Sequence, residues 1–177
     1  DAGGLEADGG AVEALDAGAY DAVIFTEMVE IRDAIRYHDS GAHLALWAKR
    51  ALAGNPDARL YLYESWHRLD AADGWLTRLD GDLAEAWEDR LLAEAMAEVE
   101  QPIYVIPAGQ VMAAFIRAVE AGQGGPSVRV RTDLFRDQIH PNAAGNYLVA
   151  LVHYAVLYQS SPVGLPVPGD VVDADTA

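Results

Sequence analysis

Tyr20-Asp21-Ala22-Val23-Ile24-Phe25-Thr26-Glu27 decides the fold. Its apolar run is continuous rather than alternating, which is the pattern of a strand covered on both faces, as in a parallel sheet. Two later stretches have the same character: Arg59–Glu64 (Arg-Leu-Tyr-Leu-Tyr-Glu) and Pro102–Pro107 (Pro-Ile-Tyr-Val-Ile-Pro). Helical periods lie between and after them. Ala11–Ala17 predicts a short helix ended by Gly18. His43–Ala53 places Leu44, Trp47, Ala48, Ala51 and Leu52 on one face and stops at Gly54-Asn55-Pro56-Asp57. Leu83–Val99 turns Leu83, Trp87, Leu91, Leu92 and Met96 inward, and Gln110–Ala121 repeats apolar residues at helical spacing. Strands alternating with helices predict an α/β domain with a parallel sheet.

The intervening segments read less sharply. Met28–Gly41 is mixed, loop with some helix, and Asp70–Gly81 reads as a loop with turn signals. Val128–Val130 is a candidate short strand. Asn142 is the expected N-cap of a last helix running to about Tyr158, so apolar around its axis that it should be largely buried. Residues 160–177, with three prolines and no long apolar run, read as a mobile tail. The expected organisation is one domain over residues 1–159 followed by that tail.

Composition narrows the function classes. Twenty-eight acids face 12 bases in 177 residues, a formal net charge of −16, and Lys49 is the one lysine. Nucleic acid and anionic membranes both select positive surfaces, so neither is an expected partner. With no cysteine there is neither a disulfide scaffold nor a cysteine–zinc site. No apolar run reaches the roughly 18 residues of a membrane span. Compartment is not legible, and a periplasmic or secreted setting is only the favoured one.

Ligand chemistry in parallel α/β sheets collects at the carboxyl ends of the strands. That rule places Thr26-Glu27, Glu64-Ser65-Trp66-His67 and Pro107-Ala108 on one rim. The motif with most chemistry is Asp137-Gln138-Ile139-His140-Pro141-Asn142, standing before the last helix. An acid three residues ahead of a histidine suits a general base whose tautomer is held by a carboxylate.

This block, with its Pro-Asn and closing helix, resembles the SGNH (GDSL-like) hydrolases, esterases and lipases on a flavodoxin-like three-layer α/β/α sandwich. The likeness in element order covers most of residues 11–159, and only the Asp–His block matches as a motif. It implies that His140 is the general base and Asp137 its orienting acid, acting with no cofactor and no metal on a small-molecule or carbohydrate ester. Two departures stand out. The family's nucleophilic serine lies in a Gly-Asx-Ser turn after a strand preceding the one at Tyr20. Nineteen residues are too few for the missing strand and crossover, since a βαβ unit takes about 30. The expectation is that the nucleophile lies outside these residues. Secondly, Thr26-Glu27 occupies the place where the family usually offers Gly-x-Asn to the oxyanion, and an ionised carboxylate there repels a developing oxyanion.

Thr26, Glu27, Trp66 and His67 are the candidate substrate-contacting residues. Glu64 and His67 have the E-x-x-H spacing of a metal pair, but on a strand rather than the helix that brings i and i+3 together. His38, Asp39 and His43 read as solvated loop residues. Ser40 and Ser65 lack the strand-to-helix elbow that exposes a nucleophile. The alternative to a serine hydrolase is a non-catalytic carbohydrate- or small-ligand-binding domain on the same fold. A metal-dependent hydrolase using His67, Glu27 and His140 is a third. Oligomeric state is open.

Overall fold

The computed structural model describes residues 9–168 and residue 171. The fold is α/β, a three-stranded parallel sheet with helices around it, in keeping with a three-layer α/β/α sandwich. The strands are β1 (Ala22–Thr26), β2 (Arg59–Glu64) and β3 (Ile103–Pro107), in spatial order β1-β2-β3. β1 and β2 run parallel, with Ala22 opposite Arg59 and Thr26 opposite Tyr63. Each strand coincides closely with a run identified by its apolar continuity.

The chain divides into two compact units, one formed by residues up to Tyr63 with Gly81–Val105, the other by Glu64–Asp80 with the residues from Ile106 onward. The first holds α1 (Gly9–Asp16), α2 (Ile31–His38), α3 (Ser40–Gly54), a π-wound segment Leu83–Leu92 and the short α5 (Ala93–Met96) that continues it. Its core joins Ile31 and Ala34 of α2, Leu44, Ala48 and Ala51 of α3, Leu60 and Leu62 of β2, and Trp87, Leu91 and Ala95. Each fully buried Leu or Ile here contributes about 1.5–3 kcal/mol relative to exposure. α1 and α3 approach where Gly18 and Gly54 stand, and a Cβ on Gly54 would strike the Leu15 carbonyl.

The second unit holds α4 (Trp75–Asp82, whose last two residues belong to the first unit), α6 (Ala108–Ala118) and α7 (Ala143–Tyr158). Its interior is built on Trp66, Trp75, Leu79, Ile106, Met112, Ile116, Leu134 and Phe135. Phe135 receives both indoles edge-on, Trp66 at 5.8 Å and Trp75 at 6.0 Å between ring centroids. Such T-shaped pairs suit the ring quadrupole.

Four expectations need correction. The stretch read as a mixed loop, Met28–Gly41, is mostly α2 and the start of α3, separated by Asp39 at φ +52°. Aspartate tolerates that left-handed conformation better than most residues, so two helices meet with almost no loop. Asp70–Gly81 contains helix α4 rather than a plain loop, because Trp75 and Leu79 are buried on one side of an otherwise polar sequence. Val128–Val130 forms no strand; the nearby sheet-like feature is an isolated bridge from Phe135 to Pro141. Finally, α7 is less buried than its composition implies, with only Ala144, Gly145 and Val152 fully covered. Of the stretch read as a mobile tail, residues 169, 170 and 172–177 lie outside the described residues, and residues 160–168 form neither helix nor strand.

Candidate functional site

The Asp137–His140 segment is a tight loop closed by its own backbone. Arg136 N–H donates to the His140 carbonyl (2.9 Å), and Asn142 N–H to the Leu134 carbonyl (2.9 Å). Asn142 then caps α7, accepting the Gly145 N–H (3.1 Å) while its amide donates to the Asp133 carbonyl (2.7 Å). This single residue both ends the loop and starts the helix, as its side chain predicts.

Within the loop, Asp137 is the hub. Its Oδ1 accepts the backbone N–H groups of Ile139 (2.9 Å) and His140 (2.8 Å), and its Oδ2 lies 2.8 Å from His140 Nδ1. An ionised carboxylate only accepts, so Nδ1 carries the proton and the neutral ring presents Nε2 as a base. The His140 side chain is 53% exposed, so its outer edge is open to solvent. Among the described residues its one side-chain partner is Asp137.

The same donors explain the electrostatics. The backbone N–H of His140, then that of Ile139, then the imidazole, hold the Asp137 carboxyl far below the ordinary carboxylate range. A folded-state value below the unfolded one adds stability that is fully present above pH ~3.9 and is lost as pH falls toward the lowered value. By side-chain carboxyl NMR, Asp137 is therefore expected to remain ionised well below pH ~3.9. In His140→Ala most of that depression should persist, because the two amides are the larger causes. A carboxyl titrating at the ordinary value in the intact protein would contradict the loop geometry.

Trp66 anchors the loop from beneath. It is 6% exposed, and its indole N–H donates to the Ile139 carbonyl at 2.8 Å. Leu69 N–H adds a bond to the Gln138 carbonyl (2.9 Å). Sequence reasoning assigned Trp66 to substrate contact; in the fold it braces the backbone immediately before His140. A buried indole needs an acceptor for its N–H, and that requirement is the signal that points to such a role. Arg68, two residues after Trp66, is paired bidentately with Asp70 (2.9 Å to each oxygen).

His67 is also buried, 2% exposed, and its carbonyl accepts the Trp75 indole N–H at 3.0 Å. Glu64, fully buried, accepts Gln110 N–H (3.1 Å) and Gln110 Nε2 (3.2 Å), and the same amide reaches the Leu79 carbonyl (2.8 Å). No group of three His, Asp or Glu side chains placed to hold a metal occurs among the described residues. Gly109 is where the chain passes closest to this carboxylate, and a Cβ there would strike Glu64 Oε1 and the Ser65 carbonyl. Because one obstacle is backbone, Gly109→Ala is expected to lower stability by about 2–3 kcal/mol in urea unfolding. A shift within about 0.5 kcal/mol, the range of a neutral surface change, would show that this passage is not tight.

Thr26 and Glu27 belong to the first unit. Thr26 Oγ1 donates to the Tyr63 carbonyl (3.1 Å), and the Glu27 carboxylate accepts Met28 N–H (2.7 Å). His43 Nδ1 lies 2.8 Å from the His38 carbonyl in the same unit.

No family model, no curated protein and no solved structure matches this chain. No helix among the described residues is long and apolar enough to cross a membrane.

Proposed function

We propose that this chain is the histidine-bearing part of an SGNH-like serine hydrolase that cleaves an ester. The observation that carries the reading is the Asp137–His140 pair, joined at 2.8 Å on a loop that both backbone amides and Trp66 hold in shape. In the reaction His140 Nε2 takes the proton of a serine hydroxyl as it attacks the ester carbonyl, and later returns a proton to the leaving alcohol. Asp137 keeps the ring in the productive tautomer and stabilises the imidazolium. The serine is supplied from outside residues 1–177.

The test is a fluorophosphonate probe applied to the polypeptide expressed with its native upstream coding sequence. One covalent adduct on a serine, lost in His140→Ala, is the expected result. A polypeptide that takes no adduct and turns over no ester, yet binds a carbohydrate or small ligand, replaces this reading with that of a binding domain.

A further inference from the structure

A cavity of about 480 Å³ lies wholly within the first unit, among α1, β1 and α3. Sites for small molecules have volumes of this order and are mostly apolar, with a few placed polar groups. Leu15 of α1, Phe25 of β1, and Leu44 and Trp47 of α3 supply apolar wall. Ile24 also borders the hollow and is 41% exposed, so the space opens to solvent.

Three polar side chains border the same space, and each retains capacity to accept a hydrogen bond. Ser40 is 2% exposed, and its hydroxyl has no hydrogen-bond partner. A buried hydroxyl without a partner is costly, so a polar atom of a ligand belongs beside it. His43 Nδ1 lies 2.8 Å from the His38 carbonyl. A carbonyl only accepts, so Nδ1 carries the proton and the neutral ring offers Nε2 as an acceptor. Glu27 is half-buried and its carboxylate accepts Met28 N–H, but among the described residues no Arg or Lys pairs with it. The Thr26 hydroxyl, by contrast, is spent on the Tyr63 carbonyl.

The order of elements brings these three groups to one end. β1 and β2 are parallel and α3 returns the chain toward the start of β2. The first turn of α3, with Ser40 and His43, therefore stands at the carboxyl end of β1, where Glu27 follows. Ligands of parallel α/β sheets collect at that end. A helix N-terminus by itself favours an anion, but the α2 C-terminus and Asp39 adjoin this one and offset its field. Among the described residues no Arg or Lys borders the cavity.

We propose that this cavity binds a small apolar primary amine in its ammonium form. The ammonium donates to the Glu27 carboxylate, the Ser40 hydroxyl and His43 Nε2, and the hydrocarbon body lies against Leu15, Phe25 and Trp47. Three N–H donors thus meet three acceptors. The Glu27 carboxylate repels an anionic ligand, and the net charge of −16 draws cations toward the protein. Amine binding here does not depend on ester hydrolysis.

Titration calorimetry at neutral pH with n-hexylamine, 1-hexanol and hexanoate, probes of nearly one size, tests it. Hexylamine is expected to bind at one site, about tenfold or more tighter than hexanol, as a hydrogen bond to a charged group allows. Hexanoate should bind more weakly than either. Glu27→Gln should bring amine and alcohol to equal affinity. Ser40→Ala should weaken hexylamine binding by about threefold or more. It should not lower the thermal midpoint of the unliganded protein, because the hydroxyl it removes has no partner in the fold. NMR amide shifts on adding hexylamine should concentrate in residues 22–27 and 40–47. Equal binding of amine and alcohol by the unaltered protein overturns the proposal, as does a preference for hexanoate. Absence of saturable binding up to the solubility limit of hexylamine does the same. Multi-site, salt-sensitive uptake that survives in Glu27→Gln also overturns it, by assigning the amine to the acidic surface at large. Serine labelling plays no part in these readouts, so failure here is distinguishable from failure of the hydrolase reading.

Discussion

His140→Ala, made in the polypeptide carrying the nucleophile, is expected to lower kcat for a fixed ester by about 10³–10⁴-fold with little change in KM. In the proposed reaction the imidazole acts in the transition state, where a proton is in flight, and removing such a group changes kcat rather than binding. The protein should remain folded. His140 is half exposed, and Asp137 keeps its two backbone donors when the ring is gone. Asp137→Asn is the informative companion. It leaves a side chain of the same shape that can still accept an amide, but no longer stabilises an imidazolium, so a smaller loss of kcat is expected. Unchanged turnover in His140→Ala, with circular dichroism confirming the fold, would remove the histidine from the mechanism.

Trp66→Ala is expected to cost about 3–5 kcal/mol, a large share of the 5–15 kcal/mol that holds an ordinary domain. Three losses combine: the buried indole, its edge-on contact with Phe135 at 5.8 Å, and the bond to the Ile139 carbonyl at 2.8 Å. Because a loss of that size is enough to unfold a marginal domain, Trp66→Phe separates structure from function. A phenyl ring keeps much of the packing but has no N–H, so the Ile139 carbonyl loses its tether. Expected results are a moderate stability loss, about 1–2 kcal/mol, and a fall in kcat from a loosened His140. Urea unfolding and ester kinetics on the same preparations read the two effects. Wild-type kcat in Trp66→Phe would show that the tether is structural only.

How much of this was legible in the chain depends on the kind of residue involved. β2 was read with its observed bounds because Leu60, Tyr61 and Leu62 form a continuous apolar run of strand length bounded by turn residues on its N-terminal side. The start of α7 was legible because Asn142 caps by a local bond three residues long. Helix α4 was obscured: Asp70, Asp73 and Gly74 announce a turn, and the burial of Trp75 and Leu79 that stabilises the helix is a tertiary effect. The Asp137–His140 pair is likewise local, and its spacing together with its place before the last helix pointed to the contact. The acceptor of the Trp66 indole N–H was not legible, since it lies 73 residues away. Glu64 with Gln110, 46 residues apart, was invisible for the same reason.

That separation bears on synthesis. The indole of Trp66 emerges from the ribosome long before the carbonyl of Ile139 exists, and Phe135, against which Trp66 and Trp75 both rest, is nearly as late. Until then two large aromatic surfaces of the second unit have no permanent cover. A nascent or prematurely ended chain that stops short of residue 135 carries an exposed Trp66–Trp75 patch, the kind of surface that chaperones hold and proteases sample. The segment that carries Phe135 and Ile139 therefore also completes the cover over these tryptophans, and a chain with that segment in place is one that has passed that inspection.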